Sequence, residues 1–529
     1  MKAQLYMILF FRCSMCASHS SAQITFQKTY SGSSSYSANS VEQTIDGGYI
    51  IAGSTQSSGA PDDVLLIKTN ESGDTLWTKI LGGVNSDAGN SVKQTSDSGY
   101  IVAGSTYHSG VGYEDVYLIK TNGSGGILWT KTFGEIYSYA AGYSVEQTSD
   151  NGYIITGSIG FSDVYLVKTD SIGNLLWTRI FGGANDDIGY SVHQTNDGGY
   201  IIGGTTWSFG AGSPDVYLIR TDANGDTLWT KAYGGISAEN CYSVQQTDDG
   251  GYIMAGSSGS FGSGFYDIYL IKTDANGDTL WTNIYATAGI DEGYSVQQTD
   301  DKGYIIAGYI YFGCPDGVSL IKTDSSGNAL WTKHFSPTPN GYSDNNIGRS
   351  VRQTIDGGYI IAGQTYNYGT YRLEVYLIKT DSNGSSGCNE IILATTVTAT
   401  ATIVSNTATI VSSGGTESTP VTIISSGGTG TTICISTGED EANVQENFIS
   451  VSPNPFSSST TISFSLQKNS TVSLEVFNLL GQKVKTMVQN EKQAAGKHQY
   501  HFIGTGEGIY FVTMKVDGIS TSQKIICQK

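Results

Sequence analysis

Hydrophobic and polar positions alternate along this chain in short runs, and the same four runs return about every fifty residues. The clearest copy spans 191–231, SVHQTNDGGYIIGGTTWSFGAGSPDVYLIRTDANGDTLWTK. Its opening valine stands at Val41, Val92, Val145, Val192, Val244, Val296 and Val351, at spacings of 51, 53, 47, 52, 52 and 55. No run carries a 3.6-residue period long enough for a helix, so each copy reads as four strands. Strand A is SVxQT. Strand B is GYIIAGST, entered through Asp-Gly-Gly or a relative such as Asp150-Asn151-Gly152, where the glycines permit positive φ. Strand C is DVYLIKT, with valine and leucine on one face and tyrosine and isoleucine on the other. Strand D is LWTKxFG, reached through a turn such as residues 222–226.

A four-stranded sheet that is apolar on both faces needs neighbours stacked on it, and seven arranged radially make a seven-bladed β-propeller. That all-β fold is expected over residues 23–388. Strand D appears with its tryptophan six times, at Trp77, Trp129, Trp177, Trp229, Trp281 and Trp331, while the seventh copy breaks off near Gly384. Residues 24–30, ITFQKTY, match strand D with Phe26 at the tryptophan place. This N-terminal strand is expected to complete the seventh blade and remove a free sheet edge; an open solenoid is the alternative. The tryptophans themselves read as packing between blades, since a residue in every copy cannot mark one site.

The A–B and C–D turns are short and uniform, whereas the B–C and D–A connections vary in length and are rich in aromatic, Ser and Gly residues. Variable loops on a rigid frame are where binding usually resides, so their side is the candidate functional face. Candidate ligand-binding aromatics there are Trp207, Phe209, Phe261, Phe265, Tyr366 and Tyr368, suited to stacking on sugar rings.

Composition agrees with this picture: Gly 68 and Tyr 34 against Pro 8, with 14% charged residues, suit a turn-rich β protein. Net charge is -19. Residues 446–529 carry eight Lys against five Asp or Glu, which leaves -22 on the first 445. Such an acidic body repels nucleic acid and anionic lipid, and neither is an expected partner. Residues 1–22 place Lys2 before an apolar run and end in small residues, the pattern of a secretory signal peptide, although Arg12 interrupts it. No later run reaches 18 apolar residues, so no further membrane span is expected. Removing the signal leaves Cys241, Cys314, Cys388, Cys434 and Cys527, enough for two disulfides at most and not for a disulfide frame.

From 389 to 445 the chain is almost all Thr, Ser, Gly, Val and Ile and reads as an extended linker or irregular β segment. Residues 446–529 form a last unit, a small β-sandwich with strands expected at 460–466, 471–478, 498–503, 508–516 and 520–527. This unit resembles the type A C-terminal sorting domain of the type IX secretion system of Bacteroidetes. The resemblance rests on SVSPNPF at 450–456, LEVFNLLGQKV at 474–484, AGKHQYHF at 495–502, GIYFVTMKVDG at 508–518 and the lysine-ended QKIICQK. Its motif positions here are Pro453, Asn454, Pro455, Phe456, Gly481, Gly508, Tyr510 and Lys524; Cys527 departs from the family's pattern. The resemblance implies export to the periplasm, recognition by the secretion machinery, and release or attachment at the outer-membrane surface. The repeats look like those of uncharacterised propellers carrying the same domain, and YLIKTDxxGDxLW is similar to blades of quinoprotein-like and kelch propellers.

Other candidate chemistry is weighed against simpler roles. Acidic residues before strand C (Asp63, Asp115, Asp163, Asp215, Asp267 and Glu374) could ring the variable face and attract cations, or cap loop amides. Asp222, Asn224 and Asp226, repeated at Asp274, Asn276 and Asp278, have the oxygen spacing of a calcium loop but no closing Glu, and turn chemistry is favoured. No HExxH, GxSxG, phosphate-loop or paired-cysteine motif is present beyond the signal, so no cofactor or metal is expected. A carboxylate pair drawn from Asp186 and Asp187, Asp291 and Glu292, or Asp344 could serve a hydrolase. The expected function is a secreted or cell-surface propeller that binds a glycan or surface protein in adhesion. The alternatives are an extracellular polysaccharide-cleaving or quinone-dependent enzyme, and a purely structural surface component.

Overall fold

The computed structural model describes residues 23–56, 61–107, 113–160, 163–212, 214–287, 289–311, 317–337, 345–392, 396–400, 403–406, 410–412, 416–418, 423–426, 429–436 and, apart from 455, 467, 479–481, 505, 507 and 517–518, 449–528. The expected signal peptide, Cys314, Asp344, Pro455 and Gly481 lie outside them. The chain divides into two compact units, Met1–Gly438 and Glu439–Lys529. No helix occurs among the described residues.

In the first unit each repeat folds into four antiparallel strands in sequence order, a tandem of propeller-like sheets. The fourth copy, for example, runs Asp187–Gln194, Tyr200–Thr206, Asp215–Thr221 and Thr227–Gly234. The last copy supplies Ile347–Gln353, Tyr359–Asn367 and Arg372–Thr380, and Thr25–Ser31 pairs antiparallel with the third of these, Phe26 opposite Lys379. Phe26 then meets Tyr49 of the first sheet edge-on at 6.2 Å, as Trp77 meets Tyr100 at 6.0 Å and Trp129 meets Tyr153 at 5.9 Å. The aromatic of strand D is thus the wedge between one sheet and the next.

Every fixed letter of SVxQT has a physical task. The first strand of each sheet slips register by one residue just before the serine, as between Gly189 and Ser191, and the bulge re-aims the chain. The serine hydroxyl accepts the valine N–H of the following sheet: Ser40 from Val92, Ser91 from Val145, Ser295 from Val351. The glutamine accepts a backbone N–H from the turn of the preceding sheet, so that Gln94 takes Ile45 and Gln147 takes Ser96. The threonine hydroxyl donates to the turn aspartate, Thr148 to Asp150, and the same carboxylate holds the strand C lysine, with Lys168 Nζ 2.8 Å from Asp150 Oδ2. That lysine lies buried along the sheet, which a cation tolerates only when paired.

The stretch expected as an extended linker or irregular β segment contains a series of short strands. Residues 390–436 supply a fifth, outermost strand to every sheet and visit the sheets in reverse order. Glu390–Ile392 pairs with the sixth copy, Thr396–Ala399 with the fifth, Ile403–Asn406 with the fourth and Ile410–Ser412 with the third. Thr416–Ser418, Ile423–Ser426 and Thr429–Ser436 follow on the second, first and seventh. Backbone pairing recruits such three- to eight-residue strands, because each outer edge presents unpaired N–H and C=O groups, and Val397 and Ile433 add side-chain packing on the cores beneath. A disulfide joins Cys388 to Cys434, while Cys241 and Cys527 are buried free thiols.

The second unit has two sheets. One holds Ile449–Ser452, Ser459–Leu466 and Gly496–Ile503, and the other Lys483–Gln493, Ser470–Asn478, Gly508–Val516 and Ile519–Cys527. Ile462, Leu474, Val476, Val512, Met514 and Ile525 fill one core from both sheets, the β-sandwich arrangement. The strands at 449–452 and 483–493 were not anticipated from the sequence.

Candidate functional site

Five of the six aromatics proposed for binding sit on the connections between second and third strands of the fourth, fifth and seventh sheets, Tyr366 lies at the end of the second strand of the seventh, and they divide by burial. Phe209 and Phe261 turn back onto the sheet and pack on Tyr217 and Tyr269, with ring centroids 5.8 and 5.9 Å apart. They are half-buried and anchor their loops. Trp207, Phe265 and Tyr368 are exposed. Within the Trp207 loop, the Ser208 hydroxyl donates to Asp187 Oδ2 at 2.8 Å and the Trp207 N–H to the Asp186 carbonyl, so the loop is held while the indole is left outside.

The structure brings Tyr366 and Tyr368 together edge-on, 5.0 Å between centroids. They line a cavity of about 250 Å³ with Thr365, Asn367, Glu374, Pro337 and Ile433. Glu374 is buried and accepts from Asn367 Nδ2 at 2.8 Å. The Thr365 hydroxyl is buried without a hydrogen-bond partner. Sequence reading found the tyrosines and listed Glu374 among the acidic residues before strand C. It missed Ile433, which arrives on the outer strand of the seventh sheet.

A second row of aromatics was missed entirely. The residue skipped at the register slip is Asn39, Asn90, Tyr143, Tyr190, Tyr242, Tyr294 and Arg349 in successive copies. The four tyrosines contact one another in series at 5.3, 5.6 and 5.1 Å, and the Arg349 guanidinium lies 4.6 Å from the Tyr294 ring. The signal available in the sequence was the residue before SVxQT, which changes between copies while its neighbours do not.

The acidic residues before strand C do not ring an exposed face. Asp215, Asp267 and Glu374 are buried and Asp63, Asp115 and Asp163 half-buried, and Asp63, Asp163, Asp215 and Asp267 each meet a second carboxyl from the next sheet. Burial raises Asp163 to about 6, helped by the charges of Asp187 and Asp186; Asp63 rises to about 6 from burial and from Asp87 and Asp62. Asp291 is likewise raised to about 6, by burial first and with Asp267 contributing. Recurrence at successive junctions marks these pairs as part of the frame. The Asp187 and Asp291 of the hydrolase reading are buried, and Glu292 accepts from the Tyr294 hydroxyl. In the calcium-like turns, Asp222 Oδ1 accepts the N–H groups of Asn224 and Asp226, and Asp274 does the same for Asn276 and Asp278. Those oxygens close turns.

In the second unit, the Pro453 carbonyl accepts the Thr460 hydroxyl and Asn454 Oδ1 accepts the Ile526 N–H at 2.8 Å. Phe456 is buried against Phe502, the Tyr510 hydroxyl donates to the Gly506 carbonyl, Gly508 has φ +146°, and Lys524 stands opposite Phe511 in the register. The first unit is therefore an all-β array of propeller-like sheets, and the second a compact sandwich pinned by its entry motif. Residues 450–528 match the family described as Secretion system C-terminal sorting domain. That unit is a sorting domain of the type IX secretion class, and the chain is directed to the cell surface or extracellular space through that machinery. No curated protein matches the chain. Among solved structures, Sqt1 of Chaetomium thermophilum is similar at 9% identity and a TM-score of 0.40, over 71% of this chain and 88% of that one. Sqt1 of the same organism bound to the N-terminus of ribosomal protein L10 is similar at 10% and 0.39, over 64% and 86%.

Proposed function

We propose that the repeats close into a seven-bladed propeller which, carried to the surface by its sorting domain, binds glycan or a surface protein through the variable loops. The observation that carries this reading is the cavity under Tyr366 and Tyr368. A T-shaped tyrosine pair offers ring faces to a sugar, and the Glu374 carboxylate in the same wall can accept from ligand hydroxyls. Strands hold Thr365, Tyr366 and Glu374, and Tyr368 follows directly in the turn, so little ordering entropy is lost on binding. The test is a glycan array probed with the mature chain and with Tyr366→Ala/Tyr368→Ala. Binding to defined glycans that falls at least tenfold in the double variant supports the reading. A blank array, or equal binding by the variant, overturns the glycan version.

A further inference from the structure

We propose a second binding site at the other ends of the strands, where the turns of the first and last sheets meet. The residue after SVxQT is Ile45 and Ile355 in these two copies, but Ser96, Ser149, Asn196, Asp248 and Asp300 in the five between. The Ile355 N–H bonds to Gln43 Oε1 at 2.8 Å, which makes the two turns neighbours. Both isoleucines are 85% exposed, although nothing in the turn requires an apolar side chain. They border a cavity of about 470 Å³ whose walls include Glu42, Gln297 and Arg352. Glu42 is committed, accepting the Gln94 N–H and lying 3.8 Å from Lys93 Nζ. Arg352 spends one donor on the Val351 carbonyl at 2.8 Å, and although the Glu42 and Glu146 carboxylates act on its charge, neither takes a hydrogen bond from it, which leaves the rest of the fork to a guest. An arginine fork beside two exposed aliphatic side chains fits a carboxylate on an apolar stem, as a peptide ending in leucine presents. The probe is acetyl-Ala-Ala-Leu, titrated calorimetrically into the mature chain as free acid and as amide. Saturable binding of the acid, at least tenfold weaker for the amide and at least fivefold weaker for Ile45→Ser and Ile355→Ser, is expected. Serine is the residue native to that place in two other copies, so these variants keep the fold. Absence of saturable binding, equal binding of acid and amide, or serine variants that bind like the parent each overturn the site.

An independent observation concerns the outer strands. We infer that residues 388–434 form a covalent hoop around the sheets, an inference that rests on the closed-ring reading above. Between Cys388 and Cys434 lie the outer strands of the sixth, fifth, fourth, third, second and first sheets in order, and the strand holding Cys434 sits on the seventh. A disulfide joining those ends encircles the ring, so the sheets cannot splay apart while the loop is intact. Disulfides persist in the extracellular space that the sorting domain implies. Dithiothreitol breaks the bond by exchange: its two thiols give two electrons and two protons, leaving two cysteine thiols and a cyclic disulfide. Reduced protein is expected to unfold in urea at least tenfold faster than oxidised protein. Oxidised protein cut at a protease site inserted between residues 412 and 416 is expected to unfold as fast as the reduced form. A cut chain that keeps slow unfolding while its disulfide remains would show that the bond acts only locally, and would overturn the hoop. A hydrodynamic radius suited to an open row of sheets would instead overturn the ring.

Discussion

Ile355 and Gln43 are 312 residues apart in sequence, yet the N–H of the first bonds to the side-chain oxygen of the second at 2.8 Å. The same bond links Asp300 to Gln353, Asp248 to Gln298 and Asn196 to Gln246, so the contact between last and first copies is chemically the same as those within the tandem. Gln43→Ala and Gln147→Ala are therefore expected to lower stability alike, by about 1 kcal/mol each, the usual net worth of one such bond. Urea midpoints measure it. A Gln43 variant indistinguishable from the parent beside a destabilised Gln147 variant would mean that the terminal junction carries no load.

The strand D aromatics make a second prediction. Gly173 has φ +82°, and a Cβ there would stand 2.7 Å from the Trp129 ring; Gly198 has φ +85° with nothing within 4 Å of that place. Both replacements by alanine incur the left-handed backbone penalty of about 1–2 kcal/mol. Gly173→Ala adds a clash with a ring held between two sheets, about another 1–3 kcal/mol. Calorimetric melting should place Gly173→Ala well below Gly198→Ala, and equal melting temperatures would show that the wedge yields.

Opposed carboxyl shifts set the pH profile. Burial works against ionisation of Asp150, but the Lys168 ammonium, the Thr148 hydroxyl and the Gly152 N–H outweigh it and hold the acid at about 2; Asp97 is held at about 2 in the same way by Lys120, Thr95 and Gly99. A depressed folded-state acid stabilises above its unfolded value and loses that contribution as pH falls toward 2. Asp63, Asp163 and Asp291, raised to about 6, act the other way: between about 4 and 6 the folded state holds more protons, so stability grows as pH drops through 6. Melting temperature should therefore rise from pH 7.5 to 5 and fall below 4. Asp163→Asn should flatten the upper limb, and a monotonic rise toward pH 8 in the parent would contradict the buried pairs.

Much of this was legible in the sequence. The period, the four strands and the place of Phe26 follow from alternation and turn glycines, because each is repeated and each repeat packs against the next. The outer strands were not legible. The described strands between 390 and 436 are three to eight residues long and pair on one side only, too short to show an alternation, and few of their side chains, Val397 and Ile433 among them, pack on a core. Their traces in the sequence are a run of β formers compatible with an irregular β segment and a cysteine at either end, Cys388 and Cys434. A loop aromatic that packs back on the sheet, as Phe209 does on Tyr217, looks in sequence like Trp207, which stays exposed.

The sorting unit gives the last prediction. Asn454 Oδ1 holds the Ile526 N–H, the Phe456 N–H donates to the Ile526 carbonyl at 2.9 Å, and the Gln528 N–H returns to the Phe456 carbonyl at 2.8 Å. The entry motif is thereby zipped to the final strand, with the Phe456 ring 3% exposed as its plug. Asn454→Ala removes one bond, about 1 kcal/mol, whereas Phe456→Ala empties a core position, about 3–5 kcal/mol. A unit of this size has little stability to spare. Export, measured as the fraction of chain reaching the surface and medium rather than remaining in the periplasm, should fall mildly for Asn454→Ala and severely for Phe456→Ala, while the melting of the repeat unit stays unchanged in both. Equal export by both variants and the parent would show that the machinery reads this segment without needing it folded.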